Sequence, residues 1–176
     1  MNSLKRLYNW TLDKANHKNA KWYLSLISFA ESSFFPIPPD LLLIPMALAS
    51  KTKAIFYAFI CTFSSVLGGI LGYTIGYYFY NTLGIYIVEF YHLENSFSIF
   101  EDYYKEFGIL IVLGAGITPF PYKFITIASG VFGLNIFLFI IISIFGRGLR
   151  FYLIAILLYF FGEKIKLIID KYFNIL

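Results

Sequence analysis

The sequence predicts an all-α integral membrane protein. Its units are an inverted repeat of a re-entrant helical hairpin followed by a transmembrane helix, with amphipathic helices at both ends. Three observations carry this reading. Hydrophobic residues make up 59% of the 176 residues and charged residues only 14%, whereas a soluble domain carries about 25% charge. Two long apolar blocks run uninterrupted, and two more are broken in the middle by prolines. Basic residues crowd around the chain ends and around residues 51–53, while the central stretch is acidic.

The elements follow in order. In residues 1–21, Leu4, Leu7, Tyr8, Leu12 and Ala15 share a helical face opposite Lys5, Arg6, Asp13 and Lys14. That pattern suits a helix lying on the cytoplasmic leaflet. The first apolar run is not expected to be a cleaved signal peptide. It carries Glu31 and is broken by Pro36, Pro38 and Pro39, and the small-residue triplet Ala47-Leu48-Ala49 lies far from the start.

The membrane domain is expected over 22–162. Residues 22–50 form a hairpin. Trp22 to Phe35 is apolar except for Glu31, Pro36-Ile37-Pro38-Pro39 stops it, and Asp40 to Ser50 resumes. Each arm is about half a membrane deep. Proline removes a backbone donor and drives the preceding residue out of helix, and irregular backbone survives at depth only under protein or beside a wet cavity. Residues 54–80 contain no charge and span about 40 Å as a helix, enough to cross. Residues 81–106 read as an external acidic linker, with Lys105 against Glu89, Glu94, Glu101, Asp102 and Glu106. Residues 107–132 repeat the hairpin around Pro119-Phe120-Pro121, and residues 134–161 form the second crossing helix. Residues 163–176 read as a cytoplasmic amphipathic tail, with Ile165, Ile168, Ile169 and Tyr172 on one face.

The positive-inside rule puts both termini and Lys51 and Lys53 in the cytoplasm and the acidic linker outside. The hairpins then open toward opposite faces, and in such inverted repeats a site lies where the repeats meet. Four ordinary transmembrane helices, two of them kinked, are the alternative. They would place Lys51 and Lys53 on the acidic side.

Net charge is +4, which fits cytoplasmic loops and anionic headgroups better than nucleic acid. Cys61 is the sole cysteine and His17 and His92 are far apart, so neither an internal disulfide nor a metal site is expected, and no cofactor. No nucleophile–base pair appears. Gly114 to Gly116 lacks the lysine and hydroxyl of a phosphate loop, so an enzyme is not expected. A homo-oligomer is left open. Gly68, Gly72 and Gly76 recur every four residues and are expected to let helix backbones approach closely.

Five charges fall inside apolar blocks: Glu31, Asp40, Lys123, Arg147 and Arg150. Such charges cost at least a few kcal/mol and are usually paired, wet or functional. Glu31 and Asp40 are candidates for proton uptake and release. Lys123, Arg147 and Arg150 are candidates for an anionic headgroup, since the arginine fork matches phosphate geometry. The alternative is an ion-pair network that only locks the hairpins together. The turns at Pro36, Pro38, Pro39, Pro119 and Pro121 also aim helix N-termini at the midplane, which favours negative charge.

Glu31-Ser-Ser-Phe-Phe-Pro-Ile-Pro-Pro-Asp40, together with Thr118-Pro-Phe-Pro-Tyr-Lys-Phe-Ile-Thr-Ile-Ala-Ser-Gly130 and Gly146-Arg-Gly-Leu-Arg150, resembles the DedA family, also called VTT or SNARE-associated Golgi proteins. The YqaA-like branch is the most similar, and the resemblance runs from about Trp22 to Gly162. It implies paired re-entrant hairpins in a bacterial inner membrane. It also implies a proton-linked transporter or lipid flippase, with undecaprenyl phosphate or phospholipid as the lipid partner. The family's two acids match Glu31 and Asp40. Of its two arginines around the second turn, Gly116 stands near the first and Tyr122-Lys123 near the second, so only Lys123 keeps a positive charge, and Arg147 and Arg150 are the candidate replacements. A non-transporting membrane scaffold with structural charges is the alternative function.

Overall fold

A computed structural model describes residues 19–35, 37–92 and 94–175, without the side chains of residues 87, 94, 96 and 163–175. The expected N-terminal amphipathic helix, Pro36 and the side chains of the tail therefore lie outside the described residues. Among the described residues helix is the only regular secondary structure, and there is no strand. The helices are α1 (Ala20–Ser33), α2 (Asp40–Ala49), α3 (Ala54–Phe79), α4 (Ile85–Phe90), α5 (Glu94–Ile117), α6 (Tyr122–Val131) and α7 (Ile136–Ile175). A 3-10 turn over Lys51–Lys53 leads into α3, and a π turn over Tyr80–Gly84 leads out of it. Two helical stretches, Lys51–Gly84 and Ile136–Gly162, are long and apolar enough to cross a membrane.

Proline sets the breaks. α1 ends at Ser33, where Phe34 and Phe35 both donate back to the Ala30 carbonyl, and the clustered prolines that follow lack the N–H donors that would extend it; a single proline, Pro45, is accommodated inside α2. Pro39 takes a helical φ of −65° and opens α2. α5 stops at Ile117, and Pro121 precedes α6 in extended conformation. α7 starts on a side-chain cap: the Asn135 Oδ1 accepts from the Phe137 and Leu138 N–H groups at 3.0 and 3.1 Å.

The pairing of short helices with long ones is similar in the two halves of the chain. α1 packs on α3 and α5 on α7, each on the long helix of its own half. α2 packs on α7 and α6 on α3, each on the long helix of the other half. α3 and α7 run antiparallel: the Tyr73 hydroxyl donates to the Leu134 carbonyl near one end, and Thr62 meets Gly148 toward the other. α1 runs alongside α3 and ends beside Gly68 and Gly72: the Gly68 carbonyl accepts from the Ser33 hydroxyl at 3.1 Å, and a Cβ at Gly72 would lie 3.1 Å from the Ser32 carbonyl oxygen. Likewise α5 ends with Gly116 against Gly146 of α7. Both proline turns thus stop partway along a long helix.

The glycine stripe of α3 makes this possible. A Cβ at Gly68 would lie 2.0 Å from the Phe29 carbonyl oxygen of α1, and one at Gly76 would lie 2.0 Å from the Ile127 carbonyl oxygen of α6. One α3 face therefore seats an arm of each hairpin.

Three differences from the sequence reading have physical causes. Residues 94–106 are not a linker; they are the first half of α5. Phe97, Tyr104 and Gly108 fall on one helical face. Phe97 and Tyr104 each sit 5.1 Å, ring to ring, from Phe132, and Tyr80 stacks on Phe97 at 4.7 Å. The acids Asp102 and Glu106 occupy the exposed face, so charge masked an amphipathic helix. Residues 85–90 of the same linker are α4. At the other end, α7 passes through Gly162 and stays helical to Ile175, with no break before the tail.

Gly68→Val and Gly76→Val are each expected to lose at least about 3 kcal/mol, at the upper end of overpacking costs. Gly114→Ala, where a Cβ meets nothing within 4 Å, stays within about 0.5 kcal/mol of wild type. Equilibrium unfolding in detergent checks both; equal stability of the valine variants would mean that the backbones can separate freely.

Candidate functional site

Glu31 sits in the last turn of α1 and is buried. Its Oε2 accepts from Arg147 Nη2 of α7 at 2.6 Å and from the Ser32 hydroxyl at 3.2 Å. Its Oε1 accepts from the backbone N–H of Tyr122 at 3.2 Å. Tyr122 is the first residue of α6, so an acid from the first hairpin caps the helix that follows the second proline turn. The sequence reading expected that N-terminus to favour negative charge, and Glu31 supplies it.

Arg147 is 1% exposed. Its Nε donates to Ser65 Oγ of α3 at 2.6 Å, and Ser65 lies 2.7 Å from Ser32 Oγ. Ser32 uses its proton on Glu31, so Ser65 must donate to Ser32. Three bonds thus run from Arg147 through Ser65 and Ser32 to Glu31, and the direct bond that Arg147 donates to Glu31 closes the ring. The guanidinium lies between two aromatic faces, 4.9 Å from the Tyr122 centroid and 4.7 Å from that of Phe151. The Tyr122 hydroxyl is fixed in turn by Ser143 at 2.7 Å.

A second ion pair lies on the next turn of α7. Arg150 bonds the Asp40 carboxylate of α2 and the Thr118 carbonyl at the end of α5. Asp40 Oδ1 and Arg150 Nε are buried with no hydrogen-bond partner. Between the two proline turns lies a cavity of about 240 Å³. Pro38, Pro39, Pro119 and Pro121 wall it, and Glu31, Lys123, Arg147 and Arg150 reach it. Lys123 makes no ion pair among the described residues; its ammonium lies 5.3 Å from the Phe124 centroid. The lining is therefore cationic, with Glu31 as its carboxylate.

The structure thus gathers the sequence-predicted residues at one place. Glu31, Lys123, Arg147 and Arg150 line the cavity, and Asp40 joins them through Arg150. The sequence reading grouped the acids together and the cations together; the structure pairs each acid with one arginine. It missed the serines. Ser25, Ser28 and Ser32 recur at helical spacing on α1, and that stripe was the available signal. They meet Ser64, the Cys61 carbonyl and Ser65 on α3, each at 2.7 Å. Thr126 also went unnoticed. Its hydroxyl donates to the Ser32 carbonyl at 2.9 Å, fastening α6 to α1.

Fold and site together define a class: an all-helical protein with two membrane-length apolar helices and a buried ionic centre between two proline turns. Over 158 residues the chain is 37% identical to a Haemophilus influenzae protein named "Uncharacterized protein", covering 90% of this chain and 82% of that one. Over 161 residues it is 38% identical to the Histophilus somni "Uncharacterized protein HI0703 homolog", with the same coverage. The chain belongs to the family of these two proteins. No family profile and no solved structure matches it.

Removing one partner of a buried pair leaves an uncompensated charge. Arg147→Met is therefore expected to lose about 3–5 kcal/mol. The double variant Glu31→Gln, Arg147→Met should recover at least half of that loss. A double-mutant cycle by unfolding in detergent reads the coupling; strictly additive losses would mean that the pair does not interact.

Proposed function

We propose that the chain is a DedA-type protein of a bacterial inner membrane, a small transporter or lipid flippase that moves an anionic lipid or solute with proton coupling. The observation that carries the reading is the cation-rich cavity bounded by two proline turns, each stopping partway along a membrane-length helix. The polarity of the fold supports a lipid surrounding: Ser28, Ser32, Ser65 and Arg147 are buried, while Phe59, Phe63, Phe145 and Phe160 are exposed. The antiparallel long helices and the similar helix pairing in the two halves support an inverted repeat, with the hairpins entering from opposite faces and both termini in the cytoplasm.

The chemistry follows from the pairing. A phosphate or carboxylate entering the cavity meets Lys123 first and then competes with Glu31 and Asp40 for the two arginines. A proton on either acid weakens its hold on the arginine and frees donors for the anion. Protonating Glu31 also removes the charge that caps α6, which loosens the join between the hairpins. Proton and anion therefore favour the same open state, and their binding is linked.

Proteoliposomes of phosphatidylglycerol and phosphatidylethanolamine test this. Wild type is expected to move anionic lipid or solute in response to a pH gradient. Glu31→Gln and Asp40→Asn should lose that dependence, and Lys123→Gln should lower the rate about tenfold. Gradient-dependent movement that persists in both acid variants would reject the proton role. The closed hydrogen-bond ring at Glu31 favours a second reading, a non-transporting scaffold whose charges only hold the hairpins. Folded wild type with no flux of lipid, solute or proton would select it.

A further inference from the structure

A second cavity, of about 300 Å³, opens between the start of α1 and the first half of α3. It shares no residue with the ionic cavity. Phe56, Phe59, Ile60 and Phe63 form its wall, and Lys21 and Trp22 its rim. Its floor is narrow because both helices carry serine there: Ser25 and Ser64 bond each other at 2.7 Å. The walls are apolar and exposed, with Phe56, Phe59 and Phe63 each more than half exposed. From Phe56 to Phe63 the groove follows α3 for about 10 Å, against about 15 Å for one leaflet of the hydrocarbon core.

The cation decides what fits. Lys21 lies at the open end of the groove, its ammonium 5.9 Å from the Trp22 centroid, and meets no carboxylate among the described residues. An apolar helix from a second protein would cover the lysine and leave its charge unpaired. An acyl chain along the phenylalanines ends in a phosphate at the level of Lys21, which neutralises it. We infer that this groove holds one anionic phospholipid as a resident, non-transported ligand that seats α1 against α3. The inference rests on the membrane placement proposed above and is independent of transport.

Native mass spectrometry of the full chain, in detergent with equal amounts of phosphatidylglycerol and phosphatidylcholine, provides the test. Wild type is expected to retain one phosphatidylglycerol in clear preference to phosphatidylcholine. Lys21→Gln should lower that retention at least tenfold. Ile60→Trp, which fills the groove, should lower it with Lys21 intact, and Lys53→Gln, outside the groove, should retain the lipid as wild type does. Unchanged retention in Lys21→Gln, equal retention of the two lipids, or a second copy of the chain in place of lipid would overturn the inference. Loss of transport alone would leave it standing. Release of the chain from membranes by alkaline carbonate would remove the membrane placement and the groove's role with it.

Discussion

The buried pair between Glu31 and Arg147 is the constraint on which the arrangement of this chain depends. Four elements converge on it. α1 supplies the carboxylate, α7 the guanidinium, α3 the serine that accepts from Nε, and α6 the N–H group that the carboxylate caps. Two charges taken out of water are expensive, and mutual attraction repays that cost only where the remaining donors and acceptors are met. Here the ring through Ser32 and Ser65 and the aromatic faces of Tyr122 and Phe151 meet them. The charges thus tie α1, α3, α6 and α7 together at one point.

Apolar packing alone could not fix that placement. One buried cluster joins α1, α2 and the start of α3 to Phe151, Ala155 and Leu158. The other joins α5 and α6 to Phe139 and Ile142. Arg147 and Ser143 lie between these two clusters along α7, as Ser65 does along α3. The molecule is thus layered along its long helices, with a polar sheet of serines and ions between two apolar ones. Small residues bring the backbones close enough for that sheet to close. In a lipid surrounding, where apolar burial gives little preference between helices, close packing and interhelical hydrogen bonds decide the structure.

Much of this was legible in the sequence. Proline marked the ends of α1 and α5 because its effect on the backbone is local and needs no partner. The five embedded charges were legible because a charge in an apolar block is costly wherever it lies. The glycine stripe at Gly68, Gly72 and Gly76 was legible as close packing from its period alone. The pairing of Glu31 with Arg147 and of Asp40 with Arg150 was not, because it depends on which helices meet over more than a hundred residues of chain. The first half of α5 was misread because charge on its exposed face outweighed the spacing of Phe97 and Tyr104 on the other. The serine track escaped notice because serine is neutral in any composition count; only its helical spacing, and then its partners on α3, give it meaning.

As proposed above, the two proline-turned hairpins reach the same ionic centre from opposite faces of a membrane. Single cysteines at Asn19, Thr52, Tyr91 and Phe137, labelled in intact membranes with an impermeant thiol reagent, test it most directly. The buried native Cys61 leaves the background low. Positions 19 and 52 are expected to react from one face and positions 91 and 137 from the other. Reaction of 19 and 52 from opposite faces would show that the first proline turn lies within a spanning helix rather than in a hairpin.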